Sequence, residues 1–192
     1  MKALDRFLQR WRIAKTRPFI AKGARVLDIG CSDGALFRQL AERIGTGVGI
    51  DYDLETRLEQ ANVERGVEWI RGTFPEALAS RDPFDVITLL AVLEHVPRER
   101  QAIVARGCAR HLKPGGTLLI TTPEPVVDRI LDALKFFRLI DGMSLEEHYG
   151  FEPGETPAIF TSHGLRLREW RKFQLGLNNL FVFERDSSLE TC

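Results

Sequence analysis

Residues 26 to 37 read Val-Leu-Asp-Ile-Gly-Cys-Ser-Asp-Gly-Ala-Leu-Phe: an apolar strand ending near Asp28, a tight turn with Gly30 and Gly34, and the start of an amphipathic helix. Glycine belongs in such a turn because the backbone bends sharply and comes close to a ligand that a Cβ would obstruct. The segment therefore predicts a site for a nucleoside-type cofactor, at the carboxyl end of a strand.

Strand-like and helix-like runs then alternate. Strands are expected at 25–29, 47–51, 67–71, 84–90 and 117–122, and helices at 34–44, 54–64 and 98–111. This alternation argues for an α/β domain, a parallel sheet with helices on both faces. A further apolar run at 126–140 follows Pro125 and reads as an inserted helix or lid, about residues 125–150. Ala158 to His163 reads as a last sheet-packing helix. Two closing strands, 166–173 and 180–185, are expected to join through a turn of Gly176, Leu177, Asn178 and Asn179. Residues 186–192 form a polar tail.

At 192 residues the chain suits one domain, here residues 23–185, preceded by a helical segment in 1–22. Hydrophobic residues make up 44% and charged residues 28%, and no apolar run approaches the roughly 20 residues of a membrane span. Cys31, Cys108 and Cys192 show neither a disulfide framework nor metal-ligand spacing. These features, with no signal-peptide core, predict a cytoplasmic enzyme with reduced thiols. Net charge is zero overall, yet residues 1–25 hold eight basic residues against Asp5 alone. Leu4, Phe7, Leu8 and Trp11 share one helical face there, so a basic amphipathic helix is expected over 2–15, ended by Pro18. A lid over the cofactor, a nucleic-acid patch and a peripheral contact with anionic membrane are its three readings. Nucleic acid is disfavoured, because the positive charge is confined to one end.

The motifs narrow the cofactor. A dinucleotide fingerprint expects G-x-G-x-x-G, but the three positions are Gly30, Ser32 and Ala35. An NAD-dependent oxidoreductase is thus an alternative that the turn argues against. Asp28 suits a cofactor with a cationic amino group, and Asp51, 23 positions on, can accept bonds from both ribose hydroxyls. Downstream stand Phe84-Asp85-Val86-Ile87, Leu93-Glu94-His95-Val96 and Leu112-Lys113-Pro114-Gly115-Gly116.

In that order these elements resemble the class I S-adenosylmethionine-dependent methyltransferases, in the broad type 11 and type 23 groups, strongly over residues 24–122. The resemblance implies a Rossmann-like seven-stranded sheet of order 3-2-1-4-5-7-6 with the seventh strand antiparallel. It implies S-adenosylmethionine held by Asp28, Gly30, Cys31, Ser32 and Gly34 on the methionine side, Asp51 at the ribose, and Tyr52, Thr73 and Phe74 about the adenine. Relatives often place an aspartate where Thr73 stands. Leu90 and Ala91 would line the channel beside the sulfonium. The implied reaction is methyl transfer to a small acceptor, for which the apolar insertion suggests a partly hydrophobic or lipid-linked molecule. A non-catalytic cofactor-binding subunit is another alternative. His148, after the inserted helix, and His95, beside Glu94, are the candidate catalytic residues. His111 and His163 sit at helix ends and read as structural. Glu94, Glu124, His95 and His148 lack a recognised ligand spacing, so no metal is expected.

Overall fold

The computed structural model describes residues 3–61, 63–78, 81–125 and 151–187. The expected lid helix, His148 and the last five residues lie outside them. Helix α1 (Ala3–Thr16) leads through a 3-10 turn at Pro18 into β1 (Ala24–Ile29), α2 (Ala35–Gln39), β2 (Ile44–Asp51), α3 (Thr56–Ala61), β3 (Val63–Glu64) and β4 (Val67–Arg71). Strand β5 (Phe84–Leu90), a 3-10 turn at Leu93–His95, α4 (Arg98–His111) and β6 (Leu112–Pro123) follow; α5 (Thr156–Thr161), β7 (Leu165–Phe173) and β8 (Asn178–Arg185) close the fold.

The sheet runs β3-β4-β2-β1-β5-β6-β8-β7. Apart from the two-residue β3 at its edge, this is the expected 3-2-1-4-5-7-6 order, with β8 antiparallel to both neighbours. Side chains alternate across the pleat, so each central strand feeds two cores. Leu27, Ile29, Ile87 and Leu89 pack with Val104 and Cys108 of α4 and Phe160 of α5. Val26, Val86 and Leu119 pack on the other face with Ile13 of α1, Leu36 and Phe37 of α2, and Leu58 of α3.

The Phe-Asp and Leu-Lys-Pro-Gly-Gly elements meet at the end of the sheet away from the strand carboxyl termini. The Asp85 carboxylate accepts the Arg25 backbone N–H at 2.8 Å and the Lys113 ammonium at 2.5 Å. One side chain thereby ties β5 to the starts of β1 and β6. Pro114–Gly116 lies within β6 as an irregularity between the pairs Phe84↔Leu112 and Val86↔Thr117, rather than as a turn before the strand.

Several boundaries differ from the sequence expectation. Helix α2 stops at Gln39 because the chain must return to pair Ile44 with Ala24, which lengthens β2. Helix α3 is short because Val63 and Glu64 fold back on Glu68 and Val67 through Arg65 and Gly66, both left-handed as a two-residue hairpin requires. The closing hairpin turns at Gln174–Leu177, and Asn178 and Asn179 are strand residues whose side chains bond Gln174, Trp170 and Glu124. Helix α1 forms as expected but seats a different face: Ile13 and Thr16 are buried whereas Phe7 is 58% exposed. Its phase is set by Gln9 on Asp33, by Gln39 on the Arg10 carbonyl and by Gln174 on the Leu8 carbonyl. Among the described residues no helix is long and apolar enough to cross a membrane.

Candidate functional site

Two cavities open at the carboxyl ends of β1, β2 and β5, on opposite faces of the sheet, and share Gly30, Ser32 and Ala91. The larger, about 450 Å³, is lined among others by Asp51, Tyr52, Thr73, Phe74, Val92 and His95. The smaller, about 190 Å³, lies under α1 and is lined by Gln9, Arg12, Asp28, Cys31 and Leu90 among others. The first volume suits a small-molecule site of roughly 300–1,000 Å³; the second has room only for a short polar group.

The shared wall is built by a constrained backbone. Gly30 and Cys31 donate their N–H groups to the Ile50 carbonyl at 2.8 and 3.2 Å, which hooks the turn onto the end of β2. Gly30 has φ +75°, and a Cβ there would stand 2.3 Å from a Val92 methyl. Ser32 and Ala91 are left-handed without being glycine, at φ 46° and 59°, a conformation that persists only where the surroundings enforce it. For Ala91 that enforcement is visible: its N–H donates to both the carbonyl and the Oγ1 of Thr121 on β6, at 2.9 and 3.1 Å. Gly34 lines neither cavity. It caps α2 at φ +74°, and a Cβ would meet the Trp69 ring at 2.7 Å, so its place is in the packing beneath the turn.

Asp51 ends β2 facing the larger cavity. Its Oδ2 accepts the Ser32 N–H at 2.7 Å and its Oδ1 the Asp53 N–H at 2.9 Å. A carboxylate offers about four acceptor sites, so both oxygens keep capacity for a pair of vicinal hydroxyls. Tyr52, 71% exposed, stands at the rim, and Phe74 is buried in the wall. Thr73, Phe74 and His95 line this cavity, while Leu90 lines the smaller one. His111 is buried with its ring 6.1 Å from that of Phe74, and burial holds its pKa below the usual imidazole value. It supports the wall and lines neither cavity. Glu124 is engaged by Lys172 and Asn179, both at 2.8 Å.

The smaller cavity carries opposite charges. Asp28 is 4% exposed, and its Oδ1 accepts the Thr88 hydroxyl at 2.6 Å. Desolvation pushes its pKa up to about 7 against the pull of that bond, and the nearby Asp51 and Asp33 carboxylates add to the rise. Arg12 reaches in from α1 with its Nε fully enclosed and without a hydrogen-bond partner. Burial holds the guanidinium below its usual range while the Glu94 carboxylate opposes the shift; it stays a cation at any ordinary pH. Sequence reasoning missed Arg12, because nothing distinguishes it from the seven other cations before residue 26 until the phase of α1 is known.

A carboxylate and an enclosed guanidinium around a small cavity complement an ammonium and a carboxylate on one ligand end, which is the pattern of an α-amino acid. The adjoining cavity complements a ribose and a flat ring.

Comparison with known proteins agrees with this geometry. Residues 2–175 match the family model described as a methyltransferase domain. The ubiquinone biosynthesis O-methyltransferase of Pseudomonas fluorescens is 34% identical over 157 residues, 77% of this chain and 66% of that protein. The same-named protein of Pseudomonas putida is 44% identical over the same shares. The chain thus spans slightly under two thirds of the length of these relatives. The N-methyltransferase NodS of Bradyrhizobium japonicum, solved in complex with S-adenosyl-l-homocysteine, superposes with a TM-score of 0.67 at 16% identity, covering 93% of this chain and 86% of that one. That match speaks for the fold alone. With the family model covering most of the chain and relatives above 30% identity, the protein belongs to the methyltransferase domain family, as its motifs implied and in place of the oxidoreductase alternative.

Proposed function

We propose that this chain transfers a methyl group from S-adenosylmethionine to a hydroxyl group of a small, partly hydrophobic acceptor. The observation that carries the proposal is the charge-complementary pair of cavities joined at Gly30, Ser32 and Ala91. Asp28 and Arg12 would hold the ammonium and carboxylate of the cofactor, Asp51 its ribose hydroxyls, and Tyr52, Thr73 and Phe74 its adenine. Arg12's enclosed and unpartnered Nε supports the fit, since a buried donor without an acceptor is costly until a ligand supplies one. When bound, the cofactor supplies an electrophilic methyl group on a sulfonium.

The protein's own part is then alignment and exclusion of water. A methyl group leaves by in-line displacement, so holding the acceptor oxygen on that line contributes most of the acceleration. The locked backbone of Ala91, beside Leu90, gives the shared wall a fixed shape for this. An acceptor hydroxyl must also lose its proton. His95 lines the larger cavity and is the described residue we assign to receive it, with an imidazole suited to proton transfer near neutral pH. His148, outside the described residues, is the second candidate.

The relatives bear the name ubiquinone biosynthesis O-methyltransferase, which favours an acceptor with a hydroxylated ring and an apolar tail. Helix α1 presents Arg6, Phe7 and Arg10 outward, consistent with a cytoplasmic protein that touches anionic membrane through this face. The test is labelled-methyl transfer to ring hydroxyls with and without an isoprenoid tail. Transfer to the tailed acceptor above the tail-free one supports the reading. Equal transfer removes the hydrophobic preference, and cofactor binding without transfer to either acceptor or to any cell extract would make the chain a binding subunit.

A further inference from the structure

Asp28 and Thr88 are direct partners across β1 and β5 in the parallel register, on the face of the sheet that α1 covers. Thr88 is fully buried. Its Oγ1 lies 2.6 Å from Asp28 Oδ1 and 3.3 Å from the Leu27 carbonyl oxygen. A threonine hydroxyl has one proton to donate, and the shorter contact gives it to the carboxylate. Asp51, by contrast, is held by two backbone N–H groups. Among the described residues, no hydrogen bond to Asp28 from any other side chain is seen.

We infer that Thr88 is a positioning residue for the cofactor's ammonium, keeping the Asp28 carboxylate ionised and fixed through Oδ1 so that Oδ2 is left for the ligand. The inference rests on reading the smaller cavity as the amino-acid end of the cofactor site. The surroundings make this single bond consequential. Asp51 at the end of β2 and Asp33 in the turn both favour protonation of Asp28, as does burial. The Cys31 thiol and the Arg12 guanidinium line the same cavity from the turn and from α1, and α2 contributes only the apolar Ala35 and Leu36. A neutral Asp28 must release its proton to solvent before it can pair with an ammonium, so affinity falls on acidification. The hydroxyl of Thr88 sets where that fall begins.

The test uses the full chain, with Thr88→Val, which conserves shape and removes the hydroxyl, and Thr88→Ser, which keeps the hydroxyl. In the ligand-free proteins, carbon-13 titration of the Asp28 carboxyl is expected to move to higher pH in Thr88→Val and to stay with wild type in Thr88→Ser. S-adenosylhomocysteine is then titrated calorimetrically between about pH 5.5 and 8.5, in two buffers of different ionisation heat. Wild type and Thr88→Ser are expected to release a proton on binding at low pH, where affinity drops by up to about tenfold per pH unit. Thr88→Val should bind roughly three- to tenfold more weakly near neutral pH, and the gap should close toward the alkaline end. A Thr88→Val protein that titrates and binds like wild type, or that loses affinity equally at every pH, overturns the inference while leaving the cofactor assignment intact. A wild-type chain that binds nothing at any pH overturns the cofactor reading, and this inference with it.

Discussion

Asp28→Asn is expected to make the ligand-free chain more stable while weakening its site. Asp28 sits 4% exposed with its pKa raised from 3.8 to about 7, chiefly by desolvation. The folded state therefore keeps a proton that the unfolded state gives up. The stability owed to that proton is fully present below the unfolded value and is lost as pH rises toward about 7, above which no more is lost. The three powers of ten between the two values correspond to a ceiling of about 4 kcal/mol. Asparagine keeps an oxygen for the Thr88 hydroxyl and removes the titration. The stability gap between variant and wild type should thus widen by about 2–3 kcal/mol between about pH 5 and pH 8 and then level off. Urea denaturation of both proteins at several pH values measures the gap, with extrapolated values compared at each pH. A gap that is constant with pH, or a variant less stable at pH 8 by the same margin as at pH 5, would refute the argument that an ionised, buried Asp28 is maintained at the expense of stability.

Gly30→Ala is expected to lose about 2–4 kcal/mol, since it combines a left-handed backbone with a Cβ 2.3 Å from Val92; adding Val92→Ala should restore the steric part alone, as paired denaturation curves would show. Arg12→Met should weaken S-adenosylhomocysteine by about tenfold or more while sparing 5′-methylthioadenosine, which lacks the amino-acid end; calorimetry on both ligands checks this, and equal losses would remove Arg12 from the carboxylate's site. Asp85→Asn should lower the denaturation midpoint by the equivalent of about 1 kcal/mol, small because Asp85 and Lys113 are partly exposed, and leave ligand affinity unchanged.

The parts of this molecule legible in its sequence are those with local causes. The β1 turn announces itself through Gly30 and Gly34 because a left-handed backbone at close quarters restricts residue choice to very few types. The alternation of apolar strands and amphipathic helices is likewise local, whereas the strand order came through family resemblance. Where pairing partners are distant, sequence reading fell short: β2 begins at Ile44 because Ala24 awaits it, and β6 includes Pro114–Gly116 because Leu112 already pairs with Phe84. Helix α1 shows the limit most clearly. Its apolar residues Leu4, Phe7, Leu8 and Trp11 mark one face, but hydrogen bonds from Gln9, Gln39 and Gln174 seat another, and this phase brings Arg12 into the cavity. Gly34 shows the converse: a motif glycine can be required by packing, here against Trp69.

The most direct test of the account is calorimetric titration of S-adenosylhomocysteine into the wild-type chain and into Asp51→Ala. The account predicts one site per chain in the wild type. In the variant, which loses the carboxylate proposed to accept the ribose hydroxyls and the anchor of the Ser32 N–H, affinity should fall by about a hundredfold, as expected for two charge-assisted hydrogen bonds. Unchanged affinity in Asp51→Ala would contradict the placement of the cofactor at the ends of β1 and β2.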